Sequence, residues 1–429
     1  MRYGGPAEPG LPPIIPPMRW SRIGVFVTAA ALPAYVLRGS LLGQLPFTGL
    51  EVVLGLTVLA FIVESWQQRR MPHLDTPFTV LIAVLLFATV IGVLVSPEKK
   101  DALGIAKAYI VEPVLYFFVA VNVLRSSWDW ERLTYGLYVS GVVVAVSQFV
   151  AVGGAIAGHT LNLNTSPPVP TWLWTNNNFG GIFLDPLVAL ALGLALFGGT
   201  KHPRVHWAML VLLGLGDVLT MSRGSWFALV VIALVAAAIH PRRRVLLVGW
   251  LVLAVGALLL PPIRHRVENE LNPNNPANSV VTRVHLWHAT VDLIAAHPFQ
   301  GAGLANYQEE IGSYRAQLHD VIHETHVYPD QLELDFWVEL GVMGVVFLLG
   351  FIVELVRYLA PAVRAGPLSH PWAAALALSW TGILAHGLVD SPYWKNDLSV
   401  EWWALAALVV VAVVPATRQL QLRRPARKT

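Results

Sequence analysis

Twelve mostly apolar stretches, near 22–38, 47–65, 77–96, 102–124, 132–153, 179–199, 204–221, 225–240, 243–262, 332–358, 371–389 and 398–416, follow one another along the chain. A helix needs about 20 such residues to cross a bilayer. The pattern therefore predicts an all-α, polytopic integral membrane protein with about 12 transmembrane helices, nine within 22–262 and three within 332–416. Residues 263–331 are the only extended polar region and predict one large external loop. Inside it, Val284, Trp287, Val291 and Ile294 recur at helix spacing, so 281–296 predicts an amphipathic helix along the bundle or the interface. His297-Pro298 ends that helix, and Gly301-Ala302-Gly303 makes a tight turn. Residues 1–21 begin Pro- and Gly-rich and lack the apolar stretch of a signal peptide, so they read as a disordered cytoplasmic tail. Residues 417–429 form a second, basic tail. No tandem repeat recurs at a fixed period.

Composition agrees with lipid as the solvent. The chain has 429 residues, 55% hydrophobic and 13% charged, with a mean hydropathy of +0.58. Soluble domains carry about 25% charged residues. Without cysteine there is no disulfide and no thiolate metal site. The pI near 9.1 would suggest nucleic acid for a soluble protein. Here it reflects basic segments flanking the membrane, and no nucleic-acid partner is expected. With the N-terminus inside, 19 of the 29 Lys and Arg fall on inner segments, among them Arg69, Arg70, Arg242, Arg243, Arg244 and the C-terminal run. The positive-inside rule then puts both termini in the cytoplasm and 263–331 outside.

Two cations break this distribution. Arg223 stands in Thr220-Met221-Ser222-Arg223-Gly224-Ser225-Trp226 between two apolar stretches, and Arg283 opens Arg283-Val284-His285-Leu286-Trp287 late in the loop. Charge at a membrane boundary is costly and marks a partner. The two share the outer face, and a guanidinium fork matches phosphate oxygens. Plainer readings stand beside this one. Arg223 can snorkel to headgroups, Arg283 can be solvated, and Arg264 and Arg266 can contact anionic lipids. His285, His288 and His297 suit interfacial packing, and Asn176 to Asn178 suit a turn and helix cap.

Ser222-Arg223-Gly224, Arg283-x-x-Leu286-Trp287, His297-Pro298-x-x-Gly301-x-Gly303 and Glu339-Leu340-Gly341-x-x-Gly344, in this order, resemble the O-antigen ligase and polymerase superfamily. The resemblance covers roughly 170–395 and includes Asn178 at the mouth of the sixth span and His386 and Asp390 at the end of the eleventh. It implies a glycosyltransferase of the bacterial inner (cytoplasmic) membrane, with its active site on the periplasmic face. Such an enzyme moves a glycan from an undecaprenyl-diphosphate carrier to a lipid or glycan acceptor, lipid A-core foremost. Arg223 and Arg283 would bind the donor diphosphate, fixed cations that need no metal or other cofactor. No DxD-like pair or metal-spaced His/Asp cluster appears on the outer face, so metal independence is expected.

One departure concerns the base. The superfamily has a His followed by Asn, Ser or Gln, then nine residues, then Gly-x-x-Gly. Here Asp330-Gln331 holds those two positions. Asp330 takes the proton, or His326 reaches in from four residues upstream; His323 is a third candidate. Asp330 could instead cap the tenth span. Glu339, about two turns into that span, needs a partner, either an Arg or a donor group. The 153–178 loop carries no Lys or Arg, which favours a ligase over a polymerase. A twelve-span transporter is the rival from another class, though no two-half similarity or paired broken helices support it.

Overall fold

The computed structural model describes residues 18–41, 45–161, 170–171, 173, 176–272, 278–317 and 327–422. Most of the expected tails, residues 162–169, 172, 174 and 175 of the 153–178 loop, the Asn- and Pro-rich 273–277, and both His323 and His326 lie outside the described residues. Each of the twelve apolar stretches contains a helix, and the chain is an all-α, multi-pass membrane protein, with one small hairpin among the described residues. Among the described residues, six helices are long and apolar enough to cross a membrane: Gly49–Gln67, Lys99–Val123, Ser127–Ala157, Asn178–Phe197, Leu332–Ala365 and Asn396–Leu422. Thr79–Val95 and Arg223–Ile239 are shorter apolar helices, and Arg243–Leu258 followed by Ile263–Leu271 makes a pair bent by 90°.

The first stretch, expected as one helix over 22–38, is not one. Helix Arg19–Ala30 gives way to a 3-10 turn, Leu32–Val36, and then to strand Arg38–Leu41, antiparallel to Leu45–Thr48 with Arg38 opposite Thr48. Pro33 explains the break, because it lacks the N–H that an α-helix would use there.

Helices meet where side chains are small. A Cβ added at Gly193 would lie 2.3 Å from the Ala375 Cα, and one at Gly216 would lie 2.8 Å from the Ala145 Cα. Helix Asn177–Phe197 therefore packs backbone to backbone on helix Pro371–Gly387, a common solution in membranes. The Ser379 hydroxyl ties the same pair together by donating to the Pro186 carbonyl at 2.7 Å. Nearby, Phe351, Trp380, Trp402 and Trp403 form an aromatic core, with Trp380 and Trp402 edge to face at 4.7 Å.

The long polar region is largely helical: Pro261–Leu271, Ser279–Ala296 and Tyr307–Gln317. The middle helix ends at Ala296, as His297-Pro298 predicts, and Gly301 and Gly303 take positive φ in the turn that follows. Its buried face is rotated from the expected one, with Ile294 common to both. Leu286, Ala289, Leu293 and Ile294 pack with Tyr307, Ile311 and Val338, whereas Val291 is 51% exposed. Residues that complete that face come from later in the chain, so spacing within the helix could not fix its rotation.

Two of the quoted motifs lock into each other. Helix Leu332–Ala365 is interrupted at Gly341 (φ 65°), where a Cβ would lie 2.0 Å from the Phe299 carbonyl oxygen. The Val342 N–H donates to that oxygen at 3.1 Å, and the Ala302 N–H donates to the Val338 carbonyl at 2.8 Å. The Trp337 indole donates to the Pro298 carbonyl at 2.9 Å. Only glycine adopts such a conformation freely and allows this approach. The motif fastens the loop to the bundle.

Candidate functional site at one end of the bundle

Arg223 is the first residue of helix Arg223–Ile239. Ser222 is its N-cap, its hydroxyl accepting the Ser225 N–H at 3.3 Å. The guanidinium is one quarter exposed and pairs with Glu270 of helix Pro261–Leu271. Glu270 also accepts the Ser279 N–H at 3.3 Å and the Ser279 hydroxyl at 3.2 Å, so one carboxylate joins three helices. Arg266, one turn before Glu270, donates through Nε to the Met221 carbonyl at 3.0 Å. Burial lowers its affinity for its proton. The charges of Arg266 and Arg283 both reach Arg223, so three guanidinium groups share one neighbourhood.

Arg283 projects from helix Ser279–Ala296 to Asp390, with Nη2 3.5 Å from Oδ2 and both side chains nearly buried. Asp390 follows the end of helix Pro371–Gly387. Its Oδ1 accepts the Ser391 N–H at 3.0 Å, and its Oδ2 lies 3.9 Å from His386 Nε2. Burial pushes the Asp390 carboxyl up from the usual carboxylate range, Asp330 adds to that, and Arg283 and His386 oppose it. Asp330 thus faces the same cluster from the start of helix Leu332–Ala365. Its backbone is left-handed (φ 56°), and the preceding Pro329 carbonyl accepts the Trp287 indole N–H at 3.0 Å. Gln331, not Asp330, holds the N-cap position, and its carbonyl accepts the Asp335 N–H at 2.8 Å.

The remaining candidates divide. His386 is buried, and its Nδ1 bonds Asp185 Oδ2 in the middle of helix Asn177–Phe197. The Ser225 hydroxyl, two residues from Arg223, bonds Asp185 at 2.9 Å and also Asp217. A polar line therefore runs from Arg283 through Asp390, His386, Asp185 and Ser225 to Asp217. Asn178 lies one turn before Gly181, where a Cβ would lie 2.8 Å from the Ser225 Cβ, so its helix starts beside that of Arg223. Glu339 stands apart. Its Oε2 accepts the Ala305 N–H at 2.9 Å, and its Oε1 is buried with no hydrogen-bond partner among the described residues. Among the described residues, no group of three His, Asp or Glu is placed to hold a metal ion.

Sequence reading left Arg266, Asp185 and Asp217 outside the site. Arg266 was legible in part, since it is i, i+4 with Glu270 and opposite Arg264, which makes an exposed pair with Glu268 at 2.9 Å. Asp185 and Asp217 are lone acids inside apolar stretches, a signal of function or partnership in their own right.

An all-α, multi-pass membrane protein that gathers arginines and carboxylates at one end of its bundle is suited to hold an anion there. Residues 208–349 match the family model described as O-antigen ligase. That match places this stretch in the O-antigen ligase and polymerase superfamily, and it contains Arg223, Arg266, Arg283, Asp330 and both interlocking glycine motifs. No curated protein matches the chain.

Proposed function

We propose that this chain is an O-antigen-ligase-type glycosyltransferase. It would transfer a glycan from undecaprenyl diphosphate to an acceptor, lipid A-core foremost, at the periplasmic face of the inner membrane. The reading is supported above all by the convergence of Arg223, Arg266 and Arg283 beside Asp330. An acceptor hydroxyl attacks the anomeric carbon, the base removes its proton, and the bond to the diphosphate breaks with inversion. Asp330 is the base in this reading, and His326 is the alternative. Charge growing on the departing diphosphate is met by guanidinium groups already in place. Glu270 and Asp390 hold two of those groups in the meantime. No metal is required for this division of labour.

The test is transfer by the purified, full-length protein in nanodiscs, given a polyprenyl-diphosphate-linked glycan and a separate lipid A-core acceptor. Glycan joined to the acceptor supports the ligase. Glycan lengthened on the carrier supports a polymerase of the same superfamily. Glycan moved across a liposome membrane without any product supports a transporter.

A further inference from the structure

Arg283 and Asp390 compensate each other in a place nearly closed to water, and this sets a condition on ligand binding. When a diphosphate takes the Arg283 fork, Asp390 is left beside the incoming anion. The titratable groups facing Asp390 are then Asp330 from the start of helix Leu332–Ala365 and His386 from helix Pro371–Gly387. Behind His386 stand Asp185 and, across Ser225, Asp217. Asp335 is a further acid within electrostatic reach of both Asp330 and Asp390. A buried, uncompensated carboxylate costs several kcal/mol, and such groups take a proton instead.

The local geometry leaves a place for that proton. Asp390 Oδ2 and His386 Nε2 are both buried, 3.9 Å apart, and neither has a hydrogen-bond partner among the described residues. Asp185 on Nδ1 fixes the ring, so Nε2 faces Asp390. Gly224 closes the other side, since a Cβ there would lie 2.6 Å from Nε2. A proton on Asp390 Oδ2 would point at Nε2, and a proton on Nε2 would point at Oδ2.

We propose that the Asp390–His386 pair takes up one proton from solvent when a diphosphate displaces Asp390 from Arg283, and returns it when the diphosphate leaves. The step forms one O–H or N–H bond and breaks none in the ligand. It rests on the anion-site reading above. The raised proton affinity of Asp390 agrees with it.

The experiment is calorimetric titration of the full-length protein in detergent with a short polyprenyl-diphosphate N-acetylglucosamine. This is a diphosphate diester with no titrating phosphate proton near neutral pH. Repeating it in buffers of different ionisation enthalpy counts protons. Wild-type protein should take up about one proton per bound ligand, with affinity rising up to about tenfold per unit fall in pH. Asp390→Asn should still bind with the uptake gone. Binding without proton exchange in the wild type, or unchanged uptake in Asp390→Asn, would overturn the proton claim and leave the anion site standing. No binding, or binding indifferent to Arg283→Ala, would sink the anion site and the proton claim together.

Discussion

Gly224 and His386 are in contact across two helices, and a single methyl group on Gly224 would lie 2.6 Å from the imidazole Nε2. The glycine of Ser222-Arg223-Gly224 is thus a spacer that lets the Arg223 helix close on the buried histidine. Gly224→Ala should cost about 1–3 kcal/mol as an overpacked contact and lower transfer by displacing His386. A thermal melt in detergent, paired with a transfer assay, reads both. A wild-type melting temperature together with wild-type transfer would show that the approach is not tight.

Glu339 distinguishes a structural acid from a chemical one. Glu339→Gln keeps an oxygen for the Ala305 N–H and should retain near-normal transfer. Glu339→Ala strands that part-buried N–H, costing about 1 kcal/mol, and should melt at lower temperature. A well-folded but inactive Glu339→Gln protein would return this residue to the chemistry.

The base is tested by isosteric replacement. Asp330→Asn should stop turnover while keeping donor binding, since the amide preserves shape but takes no proton. Asp330→His, the residue of the superfamily pattern, should retain some activity. If His326→Ala is instead the dead variant and Asp330→Asn is only impaired, His326 is the base.

Orientation has a simple probe because the chain has no cysteine. A cysteine at exposed Ser313 should react with an impermeant maleimide added from the periplasmic side, and one at exposed Arg243 should not. Labelling at Arg243 in intact cells would reverse the topology.

How much of this was legible in the sequence differs from feature to feature. The all-α, multi-pass character was, because burial in lipid imposes an apolar composition and a length on each spanning helix. The length and continuity of each helix were not, as Pro33 in the first stretch shows. Arg223 and Arg283 stood out because their neighbours are apolar. The pairing of Arg283 with Asp390 was not legible, because it joins residues more than one hundred positions apart and neither residue type names the other. Arg266 looked like a headgroup contact until Met221, in a left-handed turn (φ 57°), presented its carbonyl. Glu339 looked chemical because a buried acid demands a partner, and the backbone N–H that meets its Oε2 is one that no side-chain pattern reveals. The two glycine motifs read as separate signals, and only the kink at Gly341 shows them to be one joint.

The most direct test of the account is the rate of glycan transfer from a lipid-diphosphate donor by Arg223→Ala, Arg223→Lys, Arg283→Ala and Arg283→Lys, each checked by thermal melt. A hydrogen bond to a charged group is worth about 1.5–3 kcal/mol, so each alanine variant should lose at least about ten- to a hundredfold. The lysine variants should recover little, because a point charge does not reproduce a two-pronged fork. Arg283→Lys also keeps a cation opposite Asp390, so its loss of rate cannot be assigned to an unpaired buried acid. Folded alanine variants with wild-type rates would contradict the central claim that these arginines hold the donor diphosphate.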